Sequence, residues 1–124
     1  LDLSFRAVSK GFKILFDPSI VVHHYPAPSA ISRTNRKNQE SSELYYHVRN
    51  RLMLAYKYLP TRYIVIYVSI WMARYALEAV KERSLGQYFR GLRDGFEALI
   101  DLERIQLSPE TIQYLKSHHG RLWY

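Results

Sequence analysis

The chain has 124 residues, enough for about one domain, and its 18 Lys and Arg against 11 Asp and Glu give a net charge of +7. The absence of cysteine excludes disulfide scaffolds, cysteine-based zinc or iron–sulfur sites and thiol nucleophiles. Apolar residues make up 48% of the sequence, so a folded core is expected, and the basic, tyrosine-rich composition suits contact with nucleic acid, an anionic bilayer or phosphorylated ligands. Because the sequence opens at Leu1 without an initiator methionine, we expect it to be part of a longer protein.

The first third of the chain predicts a short helix, two strands and a loop. Residues 2–10 predict a helix that ends at Gly11. Residues 12–16 and 20–25 are apolar and rich in aromatic or β-branched side chains, and an Asp-Pro turn pair separates them, so they predict two strands. Residues 26–40 carry Pro, Ser, Asn and basic residues without apolar periodicity, which predicts a mobile loop.

The rest of the chain predicts helices. Apolar residues recur at three- and four-residue spacing from Leu44 to the residue before Pro60. Thr61 begins a second helix whose apolar run, residues 63–73, is shorter than the roughly 20 residues that span a bilayer. We therefore expect that helix to lie in the membrane interface or under its neighbours. Residues 84–87 have the Ser-x-x-Gln form of a capping box, which predicts the start of a third helix. A fourth, shorter helix follows a Ser-Pro-Glu cap at residues 108–110.

The predicted fold class is accordingly α+β. A short helix and two strands form one part, residues 1–40, with the mobile loop at its end, and a mainly helical extension forms the second part, residues 41–124.

The first pattern with candidate chemistry runs from Asp2 to His24. It joins Asp2-Leu3-Ser4-Phe5-Arg6 to a Gly-Phe pair at residues 11–12 and to Pro18, six residues before His24. On spacing alone, His24 is either a partly buried histidine with one hydrogen-bond partner or a metal ligand.

These residues resemble the C-terminal part of family 2 glycosyltransferase domains. In that family Glu-Asp-x-Asp-Leu-x-x-Arg begins a helix, a Gly-aromatic pair opens a strand, and a Pro precedes a His by six residues. Two further stretches are similar to sugar transferases of cell-surface polysaccharide, namely Tyr45-Tyr46-His47-Val48-Arg49-Asn50 and Gly91-Leu92-Arg93-Asp94-Gly95. The resemblance covers most of residues 1–100.

The resemblance implies transfer of a sugar from a nucleotide-sugar donor to a hydroxyl of a glycan or lipid-linked acceptor, on an α/β nucleotide-binding fold. It also implies a divalent cation, Mg²⁺ or Mn²⁺, in the parent enzyme. The general base of the family lies in the acidic pair that would precede Leu1, and no Asp-x-Asp metal motif occurs in this sequence. The chain alone is therefore expected to be inactive and to carry no cofactor.

The resemblance also suggests roles for individual residues, each with a plainer alternative. Asp2 orients the site or is only a helix-start acid, and Arg6 pairs with Asp2 or the diphosphate or is an exposed helix arginine. His24 completes metal coordination or touches the diphosphate. Tyr45, Arg49 and Asn50 face a phosphate of donor or acceptor, or belong to a solvated helix face.

The helix after Thr61 predicts contact with a membrane surface. Arg62 and Arg74 bracket its apolar run, and Tyr63, Tyr67 and Trp71 are aromatic residues of the kind found at bilayer interfaces. We expect it to dock the protein peripherally on the anionic cytoplasmic leaflet, and the alternative is a core helix of a soluble bundle.

Two rival functions are a nucleic-acid binder and a non-catalytic helical module for membrane docking or oligomerisation. Nucleic acid is not an expected partner, because the tyrosines lie at core spacing and no helix-turn-helix or aromatic-sheet signature occurs.

Overall fold

The computed structural model describes residues 2–23 and 33–118, and in the second range it describes side chains from residue 43 onward. These residues contain five helices: α1 Asp2–Ser9, α2 Arg33–Tyr58, α3 Thr61–Lys81, α4 Leu85–Ala98 and α5 Pro109–His118. The long helix α2 is central, because α3 and α4 both pack against it and against each other.

The predicted α+β class is wrong, since the described residues form helices and no strand. Residues 12–17 and 20–23 are irregular, and their apolar side chains project into solvent, with Leu15 84% and Phe16 91% exposed. A strand exists only when a neighbouring strand accepts its backbone hydrogen bonds, and β-branched composition cannot supply that neighbour. Residues 24–25 of the second predicted strand lie outside the described residues.

Helix α2 is longer than its apolar periodicity predicts. It begins at Arg33 rather than near Leu44, so residues 33–40 of the predicted loop are helical and the predicted boundary after residue 40 falls within this helix. Residues 26–32 of that loop lie outside the described residues. The added turns are polar but contain neither Gly nor Pro, so nothing between residues 33 and 43 interrupts the helix. The predicted end before Pro60 is confirmed at Tyr58.

Two helices, α1 and α3, each end in the same type of hydrogen-bonded turn. After α1, the amides of Gly11 and Phe12 donate to Val8 and Ala7, and Gly11 has a φ of 83°. This confirms the predicted glycine stop. After α3, the amides of Arg83 and Ser84 make the equivalent bonds, with Arg83 at a φ of 52°. The Ser84 side chain makes no capping bond to α4, so the predicted capping box is not formed.

The apolar core consists of clusters distributed along α2. One lies between α2, α3 and α4 and contains Leu44, Val48, Leu52, Met72, Tyr75, Ala79 and Tyr88. Another joins α1 and α5 to the end of α2 and contains Val8, Tyr58, Leu107, Ile112 and Leu115. Helix α5 starts as predicted, because the Thr111 amide donates to the Ser108 hydroxyl.

Candidate functional site

The first turn of α1 is tied to the last turn of α2 through Asp2. The Tyr58 hydroxyl donates to Asp2 Oδ1 at 2.6 Å, Lys57 Nζ lies 3.4 Å from the same oxygen, and Arg6 Nε lies 2.9 Å from Oδ2. The hydrogen bond from Tyr58 is the main reason that the pKa of the Asp2 carboxyl falls below its ordinary value, with the Lys57 and Arg6 charges adding to it. Asp2 is therefore ionised at neutral pH, and Arg6 pairs with it.

A groove of about 370 Å³ opens beside this carboxylate. Its lining residues are Asp2, Asn50, Met53, Leu54, Lys57 and Leu102. A carboxylate and an amide thus line the groove together with apolar side chains, and the Lys57 side chain, which is 25% exposed, lies next to them. Such a combination can hydrogen-bond hydroxyl groups while its apolar wall covers the carbon face of the same ligand.

Of the three predicted phosphate-binding residues, only Asn50 opens on this groove. Tyr45 turns towards α4, where its hydroxyl donates to Asp94 Oδ2 at 2.8 Å. Arg49 also lies beside α4, because its Cα would be 3.5 Å from a methyl group placed on Gly95. The three residues are therefore divided between two sides of α2.

The hydrogen bond between Tyr45 and Asp94 links α2 to α4, and two arginines of α4 lie next to it. Arg93 donates to Asp94 Oδ1 at 2.8 Å, and Arg90 lies 3.8 Å from Oδ2. The hydrogen bond from Tyr45, followed by that from Arg93, holds the pKa of Asp94 below its ordinary value. The same bond to Asp94 raises the pKa of the Tyr45 hydroxyl, so Tyr45 stays protonated and keeps donating.

The residue that sequence analysis missed is Arg51. Its guanidinium donates to the hydroxyls of Tyr67 at 2.8 Å and Tyr75 at 3.1 Å, and its Cζ lies 3.8 Å from the centre of the Trp71 ring. His47 stacks on Tyr75 with the ring planes 8° apart. A signal was present in the sequence, because Arg51 continues the apolar register of Leu44, Val48 and Ala55 at spacings of four, three and four.

The contacts of Arg51 show where the aromatic residues that were predicted to face a membrane lie in the structure. Tyr67 is buried against α2, and Trp71 covers the Arg51 guanidinium, so both rings face the protein interior. Tyr63 is half-buried, and the Arg62 guanidinium lies 4.9 Å from its ring. Arg74 is exposed, and its guanidinium lies 5.3 Å from the centre of the Trp71 ring.

The predicted metal ligand His24 lies outside the described residues. Among the side chains that the structure describes, residues 2–23 and 43–118, no group of three His, Cys, Asp or Glu is placed to hold a metal ion. The divalent cation that the resemblance implies for the parent enzyme therefore stays a prediction.

Comparison with known proteins adds no assignment. No protein-family model, curated protein or solved structure matches the chain.

Proposed function

We propose that this chain is the C-terminal part of a family 2 glycosyltransferase, which moves a sugar from a nucleotide-sugar donor to an acceptor hydroxyl. The proposal starts from the three sequence stretches that resemble the family. One observation of the structure supports it: residues from these stretches contact or adjoin one another. One groove is lined by Asp2 from the first stretch and by Asn50 from the second. Tyr45, also from the second stretch, donates a hydrogen bond to Asp94 from the third.

In this proposal the groove receives the acceptor sugar. The Asn50 amide and the one lone pair of Asp2 Oδ2 that Arg6 leaves free hydrogen-bond acceptor hydroxyls. The side chains of Met53, Leu54 and Leu102 cover the apolar face of the acceptor. A diphosphate suits this wall less well, because apolar surroundings penalise a concentrated charge. Asp2 acts as a positioning residue, because its bond to Tyr58 fixes the start of α1, and the family pattern places the general base just before that helix.

Turnover by the natural protein that contains this chain tests the proposal. Purified protein is supplied with a panel of nucleotide-sugars and with glycan or lipid-linked acceptors, and release of the nucleoside diphosphate is measured. We expect acceptor-dependent release with one donor. Failure of every donor and acceptor pair to support turnover would contradict the assignment as a transferase.

A pair of amide variants tests the groove separately. Asn50→Ala removes one hydrogen-bonding group, and we expect the KM for the acceptor to rise about tenfold with the donor KM unchanged. Gln113→Ala, an exposed amide on α5, is the matched control and should leave both constants unchanged. Normal acceptor KM in Asn50→Ala would refute the groove as the acceptor site while leaving the transferase assignment intact.

A further inference from the structure

Helix α3 carries an apolar stripe that none of the described residues covers. Ile66, Ile70, Leu77 and Val80 follow one another at spacings of four, seven and three, which places them on one side of the helix. Their exposed fractions run from 41% for Ile70 to 66% for Leu77. Helix α3 is also the one helix in 2–23 and 33–118 that is long and apolar enough to cross a membrane by length and composition, and only 22% of that stretch is buried.

Helix α4 carries a second stripe of the same kind. Leu85, Phe89 and Phe96 lie at spacings of four and seven and are 45%, 61% and 57% exposed. Single exposed apolar residues are ordinary on protein surfaces, but two large rings and a leucine in one row are not.

The two stripes form one surface, called here the α3–α4 face and defined by Ile66, Ile70, Leu77, Val80, Leu85, Phe89 and Phe96. Each helix uses one side against α2, through Tyr67 and Tyr75 on α3 and through Gly91 and Gly95 on α4. The adjacent side of α3 packs on α4, and there the Tyr88 hydroxyl of α4 donates to the Met72 carbonyl of α3. Each residue turns an α-helix by 100°, and on both helices the exposed stripe follows directly after the side that packs on the other helix. The two stripes therefore lie side by side along the contact between α3 and α4, on the side away from α2.

Basic residues accompany this face. Between Thr61 and Leu77 the charged residues are Arg62 and Arg74, and Lys81 follows in the last turn of α3. At 100° per residue, Arg62, Arg74 and Lys81 lie within about 80° of Ile66, whereas Glu78 and Glu82 lie further around the helix, so the charge that flanks the apolar stripe is positive. On α4, Arg90 and Arg93 lie beyond the apolar row and are paired with Asp94 and Glu97.

We propose that the α3–α4 face docks on an anionic lipid bilayer, with Phe89, Phe96 and the α3 stripe in the acyl boundary and Arg62 and Arg74 at the headgroups. The combination of an apolar stripe with flanking cations is the pattern of a helix that lies in the interface. The other candidate occupant, a second copy of the chain, is distinguished from a bilayer by the experiment below. Crossing the bilayer is disfavoured, because it would expose the polar Arg51 cluster on the inner side of α3.

Flotation of the full chain with liposomes tests the docking and does not depend on sugar transfer. We expect binding to phosphatidylcholine vesicles with about 30% phosphatidylserine and at least tenfold weaker binding to pure phosphatidylcholine. Each of Phe89→Ala and Phe96→Ala should weaken binding about tenfold, because a large apolar side chain leaves the acyl boundary. Replacing Arg62 and Arg74 by Gln should weaken binding to the anionic vesicles only.

Phe16→Ala is the matched control, because Phe16 is even more exposed but lies outside the face, and it should bind as the parent does. Helical circular dichroism must be unchanged in each variant, which is expected for exposed positions. Equal loss in Phe16→Ala and Phe89→Ala, or no preference for anionic vesicles, would overturn the proposal. So would a dimer in sedimentation that Phe89→Ala dissociates while vesicles are not bound.

Discussion

At the scale of single residues, Arg51 is the side chain whose surroundings depart most from its type. A guanidinium that is always charged lies among three aromatic rings, and it is stabilised there by two tyrosine hydroxyls and by stacking on Trp71. Burial raises the pKa of the Tyr67 hydroxyl, so this acceptor stays neutral. The cluster joins α2 to α3 by polar bonds within an apolar interface.

Arg51→Ala should lower the free energy of unfolding by about 2–3 kcal/mol, because it removes two hydrogen bonds from a charged group and one cation–π contact. Arg51→Lys should recover only part of that loss, since an ammonium cannot serve both hydroxyls and stack as well. Urea titration followed by circular dichroism measures both. Arg62→Ala, at an exposed position on α3, is the control and should change stability by no more than about 0.5 kcal/mol. An Arg51→Ala effect as small as that control would contradict this account.

The ionised Asp2 carboxylate should make the free energy of unfolding depend on pH. The pKa of its carboxyl is lowered in the folded protein, mainly by the Tyr58 hydroxyl, from an ordinary value of 3.8. Its contribution to stability is therefore complete above that value and is lost as the pH falls through the lower folded pKa. At about pH 6, Asp2→Asn should cost roughly 0.5–1 kcal/mol, the low end for a charged hydrogen bond, because the carboxylate is 41% exposed.

At about pH 3 the difference between the parent chain and Asp2→Asn should become smaller, since the unfolded carboxyl is by then mostly protonated. Urea titrations at the two pH values measure it, and Asp101→Asn, an exposed carboxylate, should show no such difference at either pH. A cost of Asp2→Asn that grows on acidification would refute the assigned role.

At the scale of elements, the contact between α2 and α4 depends on two glycines one turn apart. A methyl group on Gly91 would lie 2.8 Å from the Tyr45 carbonyl oxygen and 3.0 Å from Val48 Cβ, which are atoms close to the α2 axis. On Gly95 it would lie 2.8 Å from Leu52 Cδ1, the far end of a side chain that can rotate. The Gly-Leu-Arg-Asp-Gly stretch thus has a packing role besides its resemblance to the family.

Gly91→Ala should destabilise the protein by about 1–3 kcal/mol, because α2 and α4 must separate to admit the methyl group. Gly95→Ala should cost less, since Leu52 can move aside. Gly86→Ala is the control: nothing lies within 4 Å of the added methyl, and the better helix propensity of alanine should stabilise α4 by about 0.5–1 kcal/mol. Thermal unfolding of the three variants gives the order, and equal effects at residues 86 and 91 would refute the close approach.

The difference between local signals and contacts between distant residues explains what could be predicted from the sequence. Periodicity and turn chemistry are local signals, so the presence of the five helices and the stops at Gly11 and Pro60 were correctly predicted, whereas the start of α2 was not. The two strands were not, because strand formation depends on a distant partner that a local pattern cannot supply. Within the candidate site, the pairing of Asp2 with Arg6 follows from i, i+4 spacing, whereas the approach of Asn50 to Asp2 depends on how α1 packs on α2.

At the scale of the whole molecule, Arg104 joins the end of α2 to the segment that leads into α5. Its Nε and Nη2 donate to the carbonyls of Tyr56 and Leu59 at 3.0 and 2.9 Å, in a helix end whose carbonyls lack helical partners. The amides of Ile105 and Leu107 then donate to α2 carbonyls as well. The cluster of α1 and α5 is thereby attached to the three-helix cluster at one end of α2.

Arg104→Ala should therefore loosen that end without unfolding the rest. We expect the amides of Ile105 and Leu107 to exchange with deuterium at least tenfold faster, since two bonds from a charged group together contribute more than about 1.4 kcal/mol to the local opening free energy. Amides in α4 should keep their protection, because α4 packs on a different part of α2. Glu103→Ala, the exposed neighbour, is the control and should change neither set. If Arg104→Ala instead accelerated exchange equally in α4 and in the Ile105–Leu107 segment, the two clusters would open as one unit, and Arg104 would stabilise the global fold rather than one end of it.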